Sequence, residues 1–157
     1  MTNGRRIGRA FEQRLARDLR TWLGPDATVQ RRRNDQQACA GEFDIHWPAG
    51  RFPFAIEAKA HKTFDVAQLW TRQGPMFNGK PESWLEQCER QARDGGLAPL
   101  LVINVPRRFV LAVMLPGDFD RLNVPALPEM DLGDHVAILW DDLMAAPADS
   151  MLRMETP

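Results

Sequence analysis

Two short stretches alternate apolar and polar residues without a break: Gly41-Glu42-Phe43-Asp44-Ile45-His46-Trp47 and Phe54-Ala55-Ile56-Glu57-Ala58-Lys59-Ala60-His61. A strand sends successive side chains to opposite faces, so this period of two predicts a β-hairpin turning at residues 48–51. One face would carry Phe43, Ile45, Trp47, Phe54, Ile56, Ala58 and Ala60. The other would gather Glu42, Asp44, His46, Glu57, Lys59 and His61.

Around this hairpin the pattern changes period. Ile7, Phe11, Leu15, Leu19 and Trp22/Leu23 recur every three or four residues, which predicts an amphipathic helix over 4–23, stopped by Gly24-Pro25. A strand is expected near residues 28–32. Residues 62–80 show no clear period and read as a loop with one short helical turn. A second helix is expected over 81–94, with Pro81 in its first turn and Gly95-Gly96 as its stop. Residues 99–105 read as a buried strand and 109–115 as its neighbour across Pro106-Arg107-Arg108. A strand at 136–140 and a short helix at 141–145 complete the order. The expected fold is therefore α/β, a mixed sheet flanked by helices. Residues 1–115 would form the core, and 116–157 an acidic extension packed on the same domain, with 147–157 as a flexible tail.

At 157 residues, 44% hydrophobic and 26% charged, the chain has the composition of one soluble domain. It has neither an apolar run long enough for a bilayer nor a signal-type N-terminus, so a cytoplasmic protein is expected. Cys39 and Cys88 lack metal or redox spacing and read as free thiols. The net charge of −1 hides an asymmetry: residues 1–115 hold 18 Lys/Arg against 12 Asp/Glu, whereas 116–157 hold 2 against 9. A basic body of this kind attracts a polyanion even when the whole molecule is nearly neutral, although a solvated surface accounts for the charges equally well.

Glu57 and Lys59, two apart on one strand, share a face, and Asp44 on the neighbouring strand can lie beside them. Carboxylates so placed suit a hard divalent cation, which prefers oxygen ligands. Asp44, twelve intervening residues and then Glu57-Ala58-Lys59 resembles the core motif of the PD-(D/E)xK nuclease superfamily. Gly8-Arg9-Ala10-Phe11-Glu12 resembles that family's acid-bearing first helix, and residues 84–92, with Gln87 and Gln91, its glutamine-bearing helix after the motif. Phe43 stands where the family places proline, a position that supplies no ligand.

The resemblance covers residues 4–115 and implies a restriction-endonuclease-like fold and a metal-dependent DNA endonuclease. It implies Asp44, Glu57, the Ala58 carbonyl and Glu12 as ligands of Mg²⁺, for which Mn²⁺ can substitute. Lys59 would act on the attacking water, and the product ends would be 5′-phosphate and 3′-hydroxyl. The compact domain and leading arginines look most like Holliday-junction resolvases and their phage relatives in DNA recombination and repair, which implies a homodimer acting on branched or four-way DNA. Arg5, Arg6, Arg9, Arg31, Arg32, Arg33, Lys62, Gln87 and Gln91 are the expected nucleic-acid contacts.

Other readings stand beside this one. An amphipathic hairpin with its polar side in water is the commonest meaning of the alternation. Glu12 reads equally as a helix-surface acid, Glu42 as an arginine partner, and His46 and His61 as solvated imidazoles. A restriction- or repair-type nuclease, or a catalytically silent nucleic-acid-binding protein of the same fold, shares the same residues.

Overall fold

The computed structural model describes residues 3–24, 30–31, 44–46, 52–62, 64–105, 107–122 and 127–148. Helix α1 spans Asn3–Leu23 and buries the predicted stripe, with Phe11, Leu15, Ala16 and Leu19 all inside. Gly24 follows at φ 95°, a left-handed conformation open to glycine that ends the helix.

The described strands form one sheet in the order β1-β2-β3-β4-β5-β7-β6. They are β1 (Gln30–Arg31), β2 (Ile45–His46), β3 (Phe54–Ala60), β4 (Ala98–Val105), β5 (Phe109–Met114), β6 (Glu129–Asp131) and β7 (Val136–Leu139). Strands β3 and β4 pair parallel, and the other pairs are antiparallel. Parallel neighbours need a crossover. Helix α4 (Trp84–Gly95) supplies it. This is the mixed, helix-flanked α/β sheet that the sequence predicts.

Each sheet face has its own core. On one, Phe54, Ile56, Leu100, Val102 and Ala112 meet Phe11 and Leu15 of α1, together with Trp140 and Leu143 of α6 (Trp140–Ala145). On the other, Leu101, Ile103, Leu111 and Val113 meet Leu85 and Cys88 of α4. Ala55 of β3 packs there against Ala92. The polar side of β3 is therefore only partly turned to water: Glu57 is buried and Lys59 half-buried, while His61 past the strand's end is exposed. Glu57 lies beneath α4, because β3 is an interior strand with helices above and below.

Residues 62–80 also depart from expectation. They hold two short helices, α2 (Ala67–Thr71) and α3 (Pro75–Asn78), pinned by buried Phe64, Leu69 and Met76. Helix α4 begins at Trp84, so Pro81 precedes it instead of occupying its first turn. Its start is set by a reciprocal cap in which the Glu86 N–H donates to Ser83 Oγ at 3.2 Å and the Ser83 N–H donates to Glu86 Oε2 at 2.8 Å. Ser83→Ala is expected to cost about 1 kcal/mol in denaturant unfolding. A loss under a few tenths would show the cap to be dispensable.

The acidic C-terminal region contains two elements the sequence did not announce, α5 (Pro116–Arg121) and β6. Strand β7 pairs with β5 and continues the sheet into this region. The expected strand to residue 140 ends at Leu139, where Trp140 opens α6 and is wholly buried. Residues 149–157 of the expected tail lie outside the described residues. No described helix is long and apolar enough to cross a membrane.

Candidate active site

The site is built on β3. Its alternation sends Phe54, Ile56 and Ala58 toward α1 and leaves Ala55, Glu57 and Lys59 for the α4 side. Ile45 of β2 pairs with Ile56, and the Asp44 N–H donates to the Ile56 carbonyl at 3.0 Å. The Ala58 N–H in turn donates to Asp44 Oδ2 at 2.8 Å. Asp44 is thus fastened to the flank of β3 beside the residue that separates Glu57 from Lys59. A strand residue turns its N–H and C=O to the same flank, so the Ala58 carbonyl also lies on the Asp44 side.

Helix α4 closes the other side. Lys59 Nζ donates to Glu57 Oε1 at 2.5 Å and to Gln87 Oε1 at 2.8 Å. Gln87 Nε2 donates to the same Glu57 oxygen at 3.0 Å. The three side chains form a closed triangle, and Lys59 is held by two acceptors rather than waving in solvent. Glu57 is only 5% exposed.

Its carboxyl group is pushed up to about 7, first by burial and next by the negative charge of Asp44. Lys59 opposes both through its charge and its hydrogen bond, and Glu12 of α1 adds a weaker upward push. The fields of two other carboxylates therefore meet at Glu57. Among the described residues no three His, Cys, Asp or Glu side chains form a ready-made metal cluster.

Mg²⁺ does not require one, since it is commonly bound by one or two carboxylates and completes its shell with water. Two oxygen-bearing acids, one of them held back from ionising by burial and then by the other's charge, fit a cation well. The donors available are Asp44, Glu57 and the Ala58 carbonyl, with Glu12 the acid whose charge weighs less on Glu57.

Other expected site residues are placed unequally. Arg5, Arg6 and Arg9 are exposed on α1, and Lys62 is exposed just past β3. His61 is exposed as well, its ring centroid 5.6 Å from that of Trp84. Gln87 and Gln91, expected at the nucleic acid, are turned inward: Gln87 is bonded to Glu57 and Lys59, and Gln91 is 6% exposed. Gln91 Oε1 has no hydrogen-bond partner among the described residues. The side chains of Arg31 and His46, and all of Arg32, Arg33, Glu42 and Cys39, lie outside the described residues.

Cys88, one residue after Gln87, is a free thiol. Burial, and then the charge of Glu57, push it up to about 12, so it stays protonated and serves as packing. The signal passed over in the sequence was Ser83-x-x-Glu86, which fixes the first turn of α4 and with it the direction of Gln87.

A family model described as "Phage putative PDDEXK endonuclease" matches residues 3–123. No curated protein and no solved structure matches the chain. The matched span contains α1, the Asp44 flank, the Glu57-Ala58-Lys59 strand and α4, and the chain belongs to this phage PDDEXK endonuclease family.

Proposed function

We propose that this protein is a divalent-metal-dependent DNA endonuclease that recognises its substrate by shape, cutting branched or four-way DNA as a homodimer with one site for each symmetry-related strand. The observation that carries the catalytic part is the joining of Asp44 to Ala58 and of Glu57 to Lys59 and Gln87 around one point of β3. Glu57 is kept ionisable at a cost to the fold, and a silent DNA-binding protein would have no use for that cost.

Asp44, Glu57 and the Ala58 carbonyl would hold Mg²⁺ or Mn²⁺, with Glu12 supporting the site from α1. Bound there, the metal would neutralise a phosphate oxygen, favour hydroxide formation and offset charge on the departing 3′-oxygen. The remaining work falls to the protein. Asp44 is kept in place by the Ala58 N–H. Gln87 fixes the Glu57 carboxylate and the Lys59 ammonium relative to each other. Lys59 orients the attacking water and counters charge on the phosphorane-like transition state. Arg5, Arg6, Arg9, Arg31, Arg32, Arg33 and Lys62 would hold phosphates without reading bases.

The test is a panel of four-way junction, flap and linear duplex DNA, incubated with Mg²⁺ or Mn²⁺ and with Ca²⁺ as a binding-only control. Cleavage of the junction ahead of linear duplex, abolished by chelation, is the expected result. Equal cleavage of all three would remove selectivity for shape. Salt-sensitive binding with no nicking at any metal concentration would leave a DNA-binding protein.

A further inference from the structure

The outer face of α1 carries more positive charge than the proposed site needs. On a wheel of about 100° per residue, Arg5, Arg6, Arg9, Arg17 and Arg20 fall within an arc of roughly 120°. All five are exposed, and so is Gln13, which lies among them without charge. The margin of the arc is Glu12, whose charge reaches Glu57. From Arg5 to Arg20 the helix rises about 22 Å, the length of roughly six phosphates along one strand of a duplex.

Two features mark this arc as built for a partner rather than for solubility. A solvated face mixes signs, yet no described acid forms an ion pair with Arg5, Arg6, Arg9 or Arg17. Arg14, outside the arc, shows the alternative: it lies 3.5 Å from Asp18 and 3.6 Å from Asp141. The first turn of α1 also lacks any acid, while Arg5 and Arg6 sit where the helix dipole disfavours cations. Pairs such as Arg5–Arg9, Arg6–Arg9 and Arg17–Arg20 repel at helical spacing. That repulsion is relieved when a polyanion lies along the face.

We infer that the α1 arginine arc is a duplex-binding track that carries the phosphate backbone of a DNA arm away from the cut, and that Arg17 is a phosphate contact in it. The inference rests on the reading of DNA as substrate. Phosphate contacts carry no sequence information, so the track would hold any duplex arm alike.

Binding of a fluorescent linear duplex to the full chain in Ca²⁺, measured across a salt series, tests this without requiring cleavage. Arg17→Ala is expected to weaken binding several-fold and to flatten the slope of log affinity against log salt by about 1. The Arg6→Ala/Arg17→Ala double variant should flatten it by about 2, and Arg17→Lys should restore most of the slope. Melting of Arg17→Ala should be unchanged or higher, because alanine is the better helix former and a repulsion is lost. A wild-type slope in both alanine variants would overturn the track while leaving the nuclease reading intact. Absence of salt-dependent binding in the wild type would overturn both.

Discussion

Lys59→Ala is expected to slow single-turnover DNA cleavage by about 10³-fold while DNA binding in Ca²⁺ changes only slightly. The ammonium is fixed by Glu57 and Gln87, so in the proposed mechanism it would meet the reacting phosphate already oriented and contribute mainly to the transition state. Losing it also removes the positive charge that holds the Glu57 carboxyl down, so the residual activity should need a higher pH. Arginine should rescue poorly. Its planar fork does not place one compact charge between a carboxylate and an amide. Activity of Lys59→Ala within about tenfold of wild type would take the residue out of the chemistry.

The second large effect concerns stability, and its sign runs against the usual behaviour of carboxylates. Glu57 is raised from 4.5 to about 7, with burial as the main cause and Asp44 the next. Between these values the native state holds a proton that the unfolded chain has released, so stability falls as pH rises through the interval. Each unit is worth about 1.4 kcal/mol, which makes the loss on the order of 3 kcal/mol by pH 8. Glu57→Gln keeps an oxygen for Lys59 and Gln87 and never ionises. Urea unfolding should therefore show wild type and Glu57→Gln alike near pH 4.5 and the variant clearly more stable at pH 8. Mg²⁺ should narrow that gap by binding the ionised wild-type site. If wild type gains on the variant with rising pH, the attraction of Lys59 outweighs burial and Asp44, and the electrostatic account is reversed.

The sequence disclosed the site better than its surroundings. Alternation placed Asp44, Glu57 and Lys59 together because a period of two is unambiguous wherever apolar and polar residues take turns. The same alternation concealed that α4 covers Glu57, since small residues such as Ala55 serve an exposed strand or a helix-covered one equally well. Only the β3–β4 parallel pairing, a contact between distant segments, forces α4 over that face.

Residues 62–80 hid their helices because Phe64, Leu69 and Met76 are anchored at uneven intervals against the sheet. Strand β6 has three residues and α5 six, too short for a period to emerge. The start of α4 was legible in Ser83 and Glu86, but Pro81 offered a competing first turn. Gln91 illustrates the reverse error, because its polarity pointed outward and the packing of α4 turned it in.

The family match ends at residue 123, ahead of β7, yet β7 covers β5 along Leu111–Met114 and Trp140 lies under α1 with its Nε1 bonded to Asp18 at 3.2 Å. A protein severed where the match stops would bare the outer backbone of β5 and pull the largest plug from beneath the first helix. An interior strand would become a sticky rim, inviting one chain to zip onto another. The stretch beyond the family match is in this sense a guard rail along the flank of β5.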